Sequence, residues 1–108
     1  MLIVTGSVEA RPDTIDRILE LGLAHVQRSR REPGCLFHSI HRDVENELRV
    51  VFIERWEDAE ALEAHFHVPA SGEFVREAAA LALRPPEMSI FEAEVASIRN
   101  PAPEKGRN

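Results

Sequence analysis

The segment from Leu2 to Ala10 is rich in β-branched residues and reads as a strand, which Arg11-Pro12 breaks. From Asp13 to about Arg31 the period changes. Ile15, Ile18, Leu19, Leu23 and Val26 recur at the spacing of one helix face. Asp13 is placed to cap this helix, with Asp16 as a short capping-box partner. Gly22 lies on the apolar face, where a glycine costs about 1 kcal/mol against alanine; close approach of the sheet is the expected reason. Glu32-Pro33-Gly34 ends the helix. Two alternating segments follow, Cys35 to Asp43 and Leu48 to Trp56, joined by a polar turn from Asp43 to Glu47, and together they predict a hairpin. Leu36, His38 and Ile40 share one face of the first, with Phe37, Ser39 and His41 on the other. Leu48, Val50, Phe52, Glu54 and Trp56 share one face of the second.

Asp58 then caps a short helix with Ala59, Leu62 and Phe66 as its apolar stripe, interrupted by His67-Val68-Pro69-Ala70. Ser71 is expected to cap a third helix that buries Phe74, Val75, Ala78, Leu81 and Ala82. Arg84-Pro85-Pro86 stops it, and Met88 to Ile98 alternates as a last strand. The order β-α-β-β-α-α-β predicts an α+β domain over residues 1–99. It is the ferredoxin-like split βαβ plan, a four-stranded antiparallel sheet with helices on one face. The opposite sheet face would carry Phe37, Val51, Ile53, Phe91 and Val95. That is more apolar surface than a monomer usually exposes, so a homodimer packed sheet to sheet, a dimeric α+β barrel, is expected. The polar, Pro-rich NPAPEKGRN from Asn100 to Asn108 reads as a disordered tail.

Composition narrows the partners. The 108 residues suit one domain, and the net charge of −6 disfavours a phosphate backbone, so no nucleic-acid partner is expected. The basic run Arg28-Ser29-Arg30-Arg31 reads as the positive end of a helix, favoured by the macrodipole. Cys35 is the single cysteine, so no intrachain disulfide can form; this fits a reducing cytoplasm, the expected location, and a core role for the thiol. The N-terminal MLIVTGSVEA lacks the basic region of a signal peptide, and no apolar run has the length of a membrane span, so no membrane partner is expected.

EPGCL (Glu32 to Leu36), HRD (His41 to Asp43) and FIERWEDAEALEAHF (Phe52 to Phe66) resemble the antibiotic biosynthesis monooxygenase family over about residues 1–98. The resemblance implies a dimeric barrel of ferredoxin-like protomers. It implies a cofactor-independent monooxygenase that oxidises a quinol-like or polycyclic aromatic small molecule with O₂, needing no cofactor. An electron-rich phenol can lose a proton and reduce O₂ directly, provided the site is apolar, takes up the proton and stabilises the oxyanion. The family also holds a haem-degrading branch and an isomerase of a phosphorylated sugar signal. A dimer that binds a ligand or serves in stress without turnover is the alternative from another class.

Trp56, Glu54 and His65 are the candidate catalytic residues. Trp56 would stack on a flat substrate and donate its N–H, or else plug the core. Glu54, among apolar neighbours, would have a raised pKa and act as base, or else sit as a strand-end charge or cap a neighbour. His65 would remove a proton near neutral pH, or else interact with its helix terminus; His67, in the following loop, is the weaker choice. Phe52, Phe74, His38 and Arg76 are the candidate substrate-binding residues. Anthrone oxidases of the family carry an asparagine where this chain has Phe52, which argues against a strict anthrone oxidase. Arg76 stands at the offset of a pocket arginine in those enzymes, and otherwise reads as a solvated helical arginine. The first strand offers Thr5 and Ser7 where the haem-degrading branch has an asparagine, which leaves haem degradation a minor alternative. His38 and His41 point to opposite strand faces and cannot share a metal, so no zinc site is expected.

Overall fold

A computed structural model describes residues 1–99; the tail expected to be disordered, from Asn100 to Asn108, lies outside the described residues. The elements run β1 (Leu2–Glu9), α1 (Ile15–Ser29), β2 (Cys35–Asp43), β3 (Asn46–Trp56), α2 (Ala59–Phe66), α3 (Pro69–Leu81) and β4 (Glu87–Glu92). All strand pairs are antiparallel, in the order β2-β3-β1-β4. This is the split βαβ arrangement, with the second helical segment divided in two.

Register sorts the residues by face. Val4 opposes Glu54, Val8 opposes Val50, Ile40 opposes Phe52 and His38 opposes Glu54. These residues all turn to the helices, where Val4, Val50 and Trp56 are fully buried. Each buried Val, Ile or Phe contributes on the order of 1.5–3 kcal/mol. One core cluster gathers Val8, Ile18, Val26, Val50, Phe52 and Phe74; a smaller one holds Val4, Trp56 and Leu62. A Cβ at Gly22 would stand 2.5 Å from Ile40 Cδ1 and 3.0 Å from Phe52 Cζ, so the expected close approach is real and is made by sheet side chains. The open face carries a cross-strand row of Phe37, Arg55, Ile3 and Phe91, with Val51 and Ile53 beside it. Arg55 lies over the Phe37 ring at 5.2 Å, a cation–π contact.

Several expected boundaries move. α1 starts at Ile15, not Asp13, and Thr14 takes the cap position with no side-chain cap bond. Its hydroxyl instead accepts from Arg11 N–H at 2.9 Å and donates to Leu81 C=O at 2.8 Å, tying α1 to the end of α3. Asp13 pairs with Arg11 at 3.5 Å. β3 begins at Asn46, because Asp43 and Asn46 already pair and leave a tight turn. Asp58 caps α2 as expected, accepting from Ala61 N–H at 2.9 Å, but α2 buries Leu62 and His65, while Ala59 and Phe66 are exposed. Ser71 does not cap α3. Val68 does, and Pro69 takes the first turn, where its missing N–H costs nothing; Val75 is exposed. β4 ends at Glu92, so Val95 and Ile98 lie beyond the sheet. No helix among the described residues is long and apolar enough to cross a membrane.

Candidate functional site

A cavity of about 450 Å³ opens between the sheet and α3. Phe52, Phe74, Val75, Ala78 and Met88 give it an apolar wall, and its polar groups include His25, Glu54, His65 and Ser71. No lysine or arginine lines it among the described residues.

Its polar end is assembled from four elements. α1 supplies His25, β2 supplies His38, β3 supplies Glu54 and α2 supplies His65; all four are buried. One nitrogen from each imidazole lies within 4.8 Å of the others. His25 stacks on Phe74 with centroids 4.4 Å apart, and Trp56 packs on His65 at 4.6 Å. Glu54 accepts a 2.8 Å hydrogen bond from Trp56 Nε1. The same carboxylate oxygen is 3.5 Å from His38 Nε2, within ion-pair range but without a hydrogen bond. Glu32 Oε1 is 2.7 Å from His65 Nδ1. A carboxylate accepts, so this bond assigns the proton to Nδ1 and leaves the Nε2 lone pair free. Among the described residues, His25 Nδ1 and both nitrogens of His38 are buried without a hydrogen-bond partner.

The turn ahead of β2 positions Glu32. Gly34 adopts φ 82°, and a Cβ there would collide with Ala61 of α2. Its carbonyl accepts from Glu57 N–H at 2.8 Å, which docks the turn against the start of α2. Glu32 thereby reaches the far end of that helix.

Burial sets the electrostatics. It lowers His25 to about 3, helped by the nearby His38, His65 and Arg28. Burial also lowers His38 to about 4, with His65 and Arg30 adding to it. Glu54 is raised by burial, against the opposing effect of the Trp56 hydrogen bond. Near neutral pH the first two imidazoles are therefore neutral.

Of the residues singled out in the sequence, Phe52, Glu54, His65 and Phe74 line the cavity together. His38 and Trp56 stand behind this wall, with Trp56 fully buried and turned to Glu54 instead of the cavity. Arg76 is exposed and is not among the lining residues. His67 is exposed, bonded to Glu63 C=O. His25 and Glu32 were missed. Helical spacing contained the signal for His25, since Ile18, Gly22 and His25 lie on one face of α1. His38 and His41 do point to opposite faces, but the fold joins His38 to His25 and His65 from two helices.

The sequence profile of the family described as antibiotic biosynthesis monooxygenase matches residues 1–77. The chain belongs to this family, a class of small ferredoxin-like α+β proteins. It is 31% identical over 91 residues to an uncharacterized protein, sll1783, of Synechocystis sp.. That match takes in 84% of this chain and 62% of the relative, so the chain spans less than two thirds of that protein. A crystal structure described as an antibiotic biosynthesis monooxygenase is 28% identical with a TM-score of 0.81, covering 88% of this chain and 100% of its own. PA3566 from Pseudomonas aeruginosa is 26% identical with a TM-score of 0.78, over 87% and 94% of the two chains. A Deinococcus radiodurans protein described as a putative antibiotic biosynthesis monooxygenase shares the fold, with a TM-score of 0.84 over 89% and 95% at 22% identity.

Proposed function

We propose that the protein is a cytoplasmic, homodimeric monooxygenase that oxidises a quinol-like aromatic with O₂. One observation carries this reading: an apolar cavity large enough for a fused aromatic, ending on a buried carboxylate and a carboxylate-held imidazole. In the proposed reaction a naphthohydroquinone-type substrate and O₂ give a hydroxyquinone and water. One oxygen atom enters the ring and the other leaves as water; the substrate's electrons reduce O₂, so no flavin is needed. Phe52 and Phe74 hold the ring. His65, oriented by Glu32, takes the phenolic proton on Nε2, and Glu32 stabilises the imidazolium. Glu54 is the second proton-handling group, held in place by Trp56, with His38 as a polar contact behind it. The apolar wall of Phe52, Phe74, Val75 and Met88, with no lysine or arginine among the described lining residues, favours an aromatic over a phosphorylated sugar.

Oxygen uptake tests the reading. Chelator-treated protein with a panel of hydroquinones and anthrones should consume O₂ faster than autoxidation, and His65→Ala should lose at least 100-fold of that rate, the scale of a general base. A wild-type rate no faster than autoxidation across the panel sinks it in favour of a ligand-binding role without turnover.

A further inference from the structure

We propose that His25, His38 and His65 form a binding site for a late first-row divalent cation of the zinc class, with one coordination position turned toward the cavity. This site competes with the oxygenation reading. With His65 Nδ1 held by Glu32, a cation would occupy the Nε2 lone pair that accepts the phenolic proton. The chelator-treated chain is therefore the form that turns over, and metal binding is read separately from oxygen uptake.

Three observations converge. The three donors come from α1, β2 and α2, and one nitrogen of each falls within 4.8 Å of the others, all buried. Buried polar atoms nearly always have partners, yet His25 Nδ1 and both His38 nitrogens have none among the described residues. A cation shared by the cluster would satisfy one nitrogen of each ring, His38 contributing one of its two diverging nitrogens. Finally, Glu32 accepts a 2.7 Å hydrogen bond from His65 Nδ1. A carboxylate behind a histidine is how metal sites fix the tautomer and raise the basicity of the opposite nitrogen.

The donor set selects the ion. Neutral imidazole suits zinc, copper, nickel and iron, whereas calcium and magnesium want oxygen. Three histidines with a fourth position open is the arrangement of catalytic zinc sites. His25, His65 and Glu54 all line the cavity, so that position faces the space a ligand would occupy. Tetrahedral geometry at a metal–nitrogen length of about 2.0–2.1 Å needs nitrogens roughly 3.3 Å apart. The rings must therefore close inward from separations of up to 4.8 Å. His25 and His65 border open volume, which gives them room to turn.

The test uses the full chain, stripped with a chelator and titrated with Zn²⁺ by calorimetry and with Co²⁺ by visible absorption. One equivalent per chain should bind, with the intense bands of four-coordinate cobalt. His25→Gln and His38→Gln should each weaken binding at least tenfold, and Glu32→Gln by about 10–100-fold through the lost orientation of His65. The exposed His67→Gln should bind as wild type. Circular dichroism checks that each variant folds. Should the cluster variants unfold, X-ray absorption of the cobalt-loaded wild type decides, since the site requires imidazole scattering from three ligands. No saturable binding, six-coordinate aquo-like cobalt spectra, or unchanged affinity in folded His25→Gln and His38→Gln would overturn the assignment.

Discussion

Two imidazoles kept neutral by burial make this fold sensitive to acid. His25 and His38 titrate at about 3 and about 4 in the folded chain, against 6.5 for the ordinary side chain. Between those limits the unfolded chain binds more protons. Stability is therefore full above pH 6.5 and falls as pH drops through the window, by up to about 1.4 kcal/mol per pH unit for each histidine. Glu54 works in the opposite sense. Its raised pKa means that protonation favours the folded state, which offsets part of the loss at the acid end. Urea unfolding from pH 7 to pH 4 should show a falling midpoint, and His25→Phe, which keeps the stack on Phe74, should flatten the slope. An equal slope in that variant would mean that His25 is not the group being protonated. At this scale the sequence was partly legible. Glu54 and His65 stood out because a charge and an imidazole sat beside an otherwise apolar pattern. The partnership of His65 with Glu32 did not, because the two lie 33 positions apart and only the docked turn joins them.

Element by element, legibility tracked how many constraints each residue carried. β3 was readable because every second residue from Leu48 to Trp56 meets the helices, and a strict period of two leaves one solution. The start of α3 differs from the expected Ser71 because Ser71 is a generic cap, while Pro69 fits the first turn and moves the cap to Val68. β4 is shorter than its alternation suggests, because the pattern continues past Glu92 where pairing does not. Gly22 makes the element-scale prediction. Alanine there would gain about 1 kcal/mol of helix propensity, but its methyl would press on Ile40 and Phe52, and overpacking costs about 1–3 kcal/mol. Gly22→Ala should therefore be destabilised by up to about 2 kcal/mol in urea unfolding. A stabilised variant would show that the two side chains yield freely.

For the whole molecule, the open sheet face is the feature to test. Phe37, Ile53 and Phe91 are 40%, 37% and 53% exposed on one surface, more than scattered exposure explains. If a second copy covers it, Ile53→Asp buries a carboxylate without a partner and should turn a dimer into a monomer or an aggregate, as read by light scattering after gel filtration. A dimer of unchanged stability would remove that face from the interface. The strand order also has a temporal consequence. Of the four strands β1 is made before the others, yet Leu2 pairs with Trp56 and with Glu92. Its last partner follows 90 residues later (Leu2 to Glu92), about 5–18 s at ordinary elongation speeds. The β2–β3 hairpin closes locally, but the strand carrying Val4 and Val8 has no partner until β3 is made, and its other edge stays open until β4 follows.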